Sequence, residues 1–254
     1  MSPVKGATLL PRLLAEGVGT GLLVAVVVGS GIAAQQLSPA DRGLQLLQNS
    51  TATVFGLAVL IVMFGPISGA HFNPVVTVVD WWTNRRTATA VQPSVVGWYL
   101  TVQILGGIGG AVLANVMFDQ RAGQISTHHR VSTGHLVGEV VATAGLILLI
   151  LVLVRTGRGT WAGPAIGAYI GAAYWFTSST SFANPAVTIG RIFTDTFAGI
   201  APASVLPYIA AQILGAAIGL ALFRGVDPTG RGAVDPAGKA GPVSKPSSPK
   251  GLTP

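Results

Sequence analysis

Two Asn-Pro pairs stand in similar surroundings, one in Ser68-Gly69-Ala70-His71-Phe72-Asn73-Pro74-Val75 and one in Ser181-Phe182-Ala183-Asn184-Pro185-Ala186, each after a long apolar run. Asn is a strong N-cap and Pro is pre-organised for the first helical position, so each pair marks a helix start. The helices predicted at 73–83 and 184–195 are too short to cross a bilayer. About ten residues give roughly 15 Å of helix, half of a ~30 Å hydrocarbon core, so two meeting end to end would cover it. If each Asn side-chain oxygen caps its own helix, the amide NH2 is left to donate. Asn73 and Asn184 would then offer two donors to a passing oxygen atom, where two positive helix ends converge and disfavour cations. That is recognition chemistry rather than bond making.

The elements that must hold these starts are apolar. Hydrophobic residues make up 50% of the chain and charged ones 9%, with a mean hydropathy of +0.62, whereas a water-soluble domain carries about 25% charged residues. Lipid is therefore the solvent. Runs long enough to span it lie at about 10–33, 50–66, 94–118, 134–155, 160–178 and 205–224. The predicted architecture is an all-α integral membrane protein with six transmembrane helices and two re-entrant half-helices.

The chain also repeats. Glu16 and Thr20 in the first span match Glu139 and Thr143 in the fourth, and Gln103-Ile104-Leu105-Gly106 in the third matches Gln212-Ile213-Leu214-Gly215 in the sixth. Each repeat, about 8–118 and 134–225, contains an odd number of crossings, so the second lies inverted. Inverted repeats with broken helices put a permeation site near the midplane. The repeats fill one domain, 1–225, and the Pro-, Gly-, Ser- and Lys-rich stretch 226–254 reads as a disordered cytoplasmic tail. The first span, with Lys5 and Arg12 before it, superficially resembles a signal peptide, but the repeat requires it as a crossing.

Positive charge fixes orientation. With the N-terminus inside, Lys5, Arg12, Arg85, Arg86, Arg155, Arg158, Arg224 and the tail lysines are cytoplasmic, while Arg42, Arg121, Arg130 and Arg191 fall outside. Topology thus accounts for the pI near 10.4, with no need for nucleic acid. The absence of Cys excludes thiol chemistry and disulfides.

Over residues 8–225 the chain resembles the aquaporin, or major intrinsic protein, family, on its paired Asn-Pro motifs, the Ser68–Pro74 stretch, Glu16 and Glu139. The resemblance implies a homotetramer with one pore per subunit, in a cytoplasmic or inner membrane, using no cofactor and no metal. It assigns Asn73, Pro74, Val75, Asn184, Pro185 and Ala186 to the pore centre, and gives Glu16 and Glu139 the backbone N–H groups of the re-entrant loops to hold. Without it, intramembrane carboxylates would invite a proton-relay reading. Val75 replaces the usual Ala, a change expected to alter packing at the junction.

A further departure sits at the outer constriction, where the family normally has Arg after the second motif and this chain has Val187. Counting as the family does places Ser181 and Ala172 beside it and Thr53 opposite, with Phe55 and Tyr174 as alternates if the register slips by two. The loss of a guanidinium predicts a wider, less polar filter. Asn184-Pro185-Ala186-Val187 in its context is similar to a bacterial aquaglyceroporin-like subgroup linked with arsenic resistance. Expected permeants are water, glycerol-type polyols and neutral metalloid hydroxides such as arsenite; a water-selective pore and a non-conducting structural protein are the alternatives. An intramembrane enzyme would need a nucleophile and base, or metal ligands, convergent in the membrane, and with no Cys and only four His the chain offers a poor set.

For Arg191, one helical turn beyond Val187, a surface pair with Asp195 at i,i+4 is expected, a positive pore rim being the alternative. His71 is expected to pack in its loop, and His128 and His129 to be solvated. Gly106, Gly110, Gly215 and Gly219 have the small-xxx-small spacing of close helix crossings.

Overall fold

The computed structural model describes residues 8–87 and 91–227, so most of the predicted tail lies outside the described residues. Within them the order is α1 (Leu9–Leu37), α2 (Arg42–Ser68), α3 (Pro74–Asn84), α4 (Pro93–Met117), α5 (Thr133–Arg155), α6 (Ala162–Phe176), α7 (Pro185–Gly190) and α8 (Pro202–Val226). Two 3-10 turns, Gly159–Trp161 and Arg191–Phe193, precede α6 and follow α7.

Local chemistry sets the boundaries. Pro opens α3, α4, α7 and α8, and the side chains of Asp41 and Ser132 cap α2 and α5 by accepting from Leu44 and His135. α2 stops at Gly69, whose φ of 97° ends the helix in the left-handed region. Five helices, α1, α2, α4, α5 and α8, are long and apolar enough to cross a membrane. The predicted fifth span is shorter: α6 has 15 residues and is extended at its start by the 3-10 turn.

The halves pack alike. α1 lies against α4 and α2, α5 against α8 and α6, and both short helices, α3 and α7, pack on α4 and α8. Glycine makes the closest crossings possible. A Cβ at Gly110 would collide with the Gly21 carbonyl oxygen, and one at Gly219 with that of Ala144, the equivalent contact in the other half. The interior is a mixed core in which α1 contributes Leu23, Val24, Val27 and Val28. Large apolar side chains also cover the outside, among them Leu206 at 77% and Phe55 at 67% exposure, which fits a molecule whose solvent is hydrocarbon.

Candidate functional site

The two helix starts meet. Asn73 Oδ1 accepts from the Val75 N–H at 3.1 Å, and Asn184 Oδ1 accepts from those of Ala186 at 3.0 Å and Val187 at 3.3 Å. Each amide then donates across the junction, Asn73 Nδ2 to the Ala183 carbonyl at 2.8 Å and Asn184 Nδ2 to that of Phe72 at 2.7 Å. This amends the expectation of a wholly free NH2. One hydrogen of each amide ties the loops together and the other remains to donate. Pro74, Val75, Pro185 and Ala186 are buried around the junction.

The loops entering it are strained in the same way. Ala70 and Phe72, three and one residues before Asn73, have φ of 51° and 48°; Ser181 and Ala183, at the same offsets from Asn184, have 49° and 48°. Non-glycine residues adopt this region at a cost of order 1–2 kcal/mol each, and here it aims successive N–H groups inward, where buried carboxylates collect them. Glu16 accepts from Ser68 Oγ at 2.6 Å, from the His71 and Phe72 N–H groups at 3.0 and 2.8 Å, and from Gln103 Nε2 at 2.8 Å. Glu139 accepts from the Phe182 and Ala183 N–H groups at 2.8 and 2.9 Å and from Gln212 Nε2 at 2.7 Å. Each glutamine also donates to a half-helix threonine, Gln103 to Thr77 at 3.0 Å and Gln212 to Thr188 at 2.9 Å. Backbone at membrane depth must find its partners in protein, and this network supplies them.

Cavities open on either side of the junction. One, of about 740 Å³, is lined by α3, α5, α6 and α8 and by Arg85, Arg86, Arg155 and Arg224. The other, of about 60 Å³, is bordered by Thr53, Tyr174, Ser181, Asn184, Val187 and Arg191. Leu57 and His71 line both and so stand between them. His71 Nδ1 lies 3.2 Å from Thr77 Oγ1.

A profile described as Major intrinsic protein matches residues 4–181. The aquaglyceroporin AqpS of Rhizobium meliloti (strain 1021) is 45% identical over 84% of this chain and 88% of its own length. The chain belongs to the major intrinsic protein family. The glycerol uptake facilitator protein of Pseudomonas aeruginosa is 28% identical over 85% of the chain and 88% of its own length. In fold, the chain is similar to the aquaglyceroporin from Plasmodium falciparum, with a TM-score of 0.61 at 20% identity, covering 87% of this chain and 98% of that one.

Positions counted from the family pattern fare unevenly. Thr53, not Phe55, borders the small cavity; Phe55 points outward. Ala172 is on the exposed face of α6 and does not line the cavity, whereas Tyr174 does, its hydroxyl 3.2 Å from Thr53 Oγ1. The cavity thus takes the first-counted residue of span two and the alternate of span five. Ser181 and Val187 both border the cavity, and the Ser181 hydroxyl is buried without a partner among the described residues.

The expected Arg191–Asp195 surface pair is absent. It requires the helix to run on, but α7 ends at Gly190, a single 3-10 turn follows, and Thr194 is extended with φ −147°. Arg191 is 2% exposed, its guanidinium 3.5 Å from the Phe182 ring centroid. Asp195 turns instead to Thr127, accepting from its N–H at 2.8 Å and its hydroxyl at 3.0 Å. Those bonds, with His128 nearby, hold its carboxyl below the usual carboxylate range. Position 187 is Val, yet the small cavity that it borders is also lined by the Tyr174 and Arg191 side chains.

Sequence reasoning missed Gln103, Gln212, Thr77 and Thr188 as site residues. The glutamines were visible as a repeat, but only folding brings them to the carboxylates. Among the described residues no group of His, Asp and Glu is arranged to hold a metal.

Proposed function

We propose that the protein is a passive channel for small uncharged solutes: water, glycerol-type polyols and neutral metalloid hydroxides such as arsenite. Its family consists of channels rather than enzymes. The reading rests on the reciprocal Asn73–Asn184 junction between two cavities. Each amide keeps one donor for a passing hydroxyl while two helix N-termini oppose cations at the same point. The names of two relatives, an aquaglyceroporin and a glycerol uptake facilitator, support polyols. The subunit is proposed to assemble as a homotetramer in the inner membrane with both termini cytoplasmic, its large arginine-lined mouth facing inward. Val75, Asn73, Pro74, Asn184, Pro185 and Ala186 form the pore centre, and Thr53, Tyr174, Ser181 and Val187 the outer filter.

The small cavity favours a second reading, a water-selective pore. At about 60 Å³ it holds roughly two waters at ~30 Å³ each. Stopped-flow light scattering on proteoliposomes, comparing water efflux with glycerol and arsenite uptake, separates the two. Glycerol and arsenite uptake well above that of empty vesicles is expected; water flux alone would establish the selective pore.

A further inference from the structure

Arg191 is a buried guanidinium that nothing assigned so far employs. Its Nε donates to the Ala198 carbonyl and its plane lies over Phe182, and its terminal nitrogens have no hydrogen-bond partner among the described residues. They belong to a side chain that borders the same 60 Å³ cavity as the unpartnered, buried Ser181 hydroxyl. The mount is firm. Phe182 packs edge-on against Tyr208 with ring centroids 5.2 Å apart, and Arg130 holds the same loop by donating to the Gly199 and Phe197 carbonyls at 2.7 Å each. A desolvated cation with idle N–H groups beside a lone hydroxyl provides donors for a solute's oxygen atoms and a fixed field against cations.

We propose that Arg191 is the specificity-determining residue of the outer cavity, excluding cations and limiting solute size from the 3-10 turn beyond α7, one helical turn from the apolar Val187. This inference rests on the channel reading above. A purely structural Arg191 would need only its Nε bond and its stack on Phe182, so returning the charge to the cavity from another position distinguishes the two roles.

The test uses the full chain in proteoliposomes, reading cation leak with a voltage- or pH-sensitive dye and uptake of a five-carbon polyol relative to glycerol. In Arg191→Val, both the leak and the uptake ratio should rise severalfold, and adding Val187→Arg to that variant should bring them back toward the parent. Leak and ratio unchanged in folded Arg191→Val, or no recovery in a folded double variant, would overturn the proposal. Should the Arg191 variants fail to fold, Ser181→Asp sets a countercharge beside the guanidinium on backbone that Asp tolerates. It should raise cation leak, and a parental leak would overturn the proposal. Parent protein that conducts no glycerol above empty vesicles would overturn the channel reading itself.

Discussion

A carboxylate in a membrane interior is costly unless every lone pair is used, and Glu16 and Glu139 show how this chain meets that demand. Each is fully buried and accepts two loop N–H groups and a glutamine. Acceptance is the whole of the role, so Glu139→Gln should be damaging although it preserves shape. One amide arm would turn an NH2 toward a donor, either Phe182 or Ala183. Leaving one buried donor unmet costs about 1–3 kcal/mol, which should appear as a lowered thermal midpoint in detergent together with loss of solute flux. An unchanged midpoint and flux would show that the loop holds its strained backbone without the carboxylate. The loop-supporting role was legible only through family resemblance, because nothing in a lone glutamate at position 139 says which N–H groups will reach it.

At the scale of elements, the helix starts were legible and the helix ends were not. Asn-Pro specifies a start through its own side chain and ring, so α3 and α7 begin where the sequence implies. The end of α7 has no such local marker: Gly190 is still helical at φ −57° and packs so close to the Gly107 backbone that a Cβ there would meet the Gly107 carbonyl oxygen at 2.6 Å. The early stop redirected Arg191 and undid a pairing inferred from helical spacing. Counting along α6 left two residues open for a related reason, since loop length hides which face turns inward; Tyr174 borders the cavity and Ala172 lies on the exposed face. Crossing contacts between long helices give a sharper prediction. Gly110→Ala adds a methyl against the Gly21 carbonyl, whereas Gly97→Ala meets nothing within 4 Å. Overpacking costs about 1–3 kcal/mol, more than the ~1 kcal/mol gained in helix propensity. Gly110→Ala should therefore lower the thermal midpoint and Gly97→Ala should not; equal behaviour would mean that α1 and α4 are not held at this distance.

For the whole molecule, two halves of one pattern bring a pair of helix N-termini to a common point, with largely apolar cavities that carry a few polar groups on either side and an apolar exterior. The membrane class and the repeat were legible from composition and from Glu16, Glu139, Gln103 and Gln212, because a bilayer restricts which backbones survive in it. The guanidinium beside the small cavity was legible only as an alternative, since Arg191 lies outside the Asn-Pro motif and helical spacing favoured a pair with Asp195. On the proposed reading the path offers hydrogen bonds and a field that repels cations, and solutes run down their own gradient. The most direct measurement is the initial rate of glycerol uptake into proteoliposomes, against lipid-only vesicles, with and without an imposed proton gradient. The account predicts uptake well above the lipid control, rising in proportion to glycerol concentration and indifferent to the gradient. Uptake at the lipid rate, or uptake that requires the gradient, would contradict it.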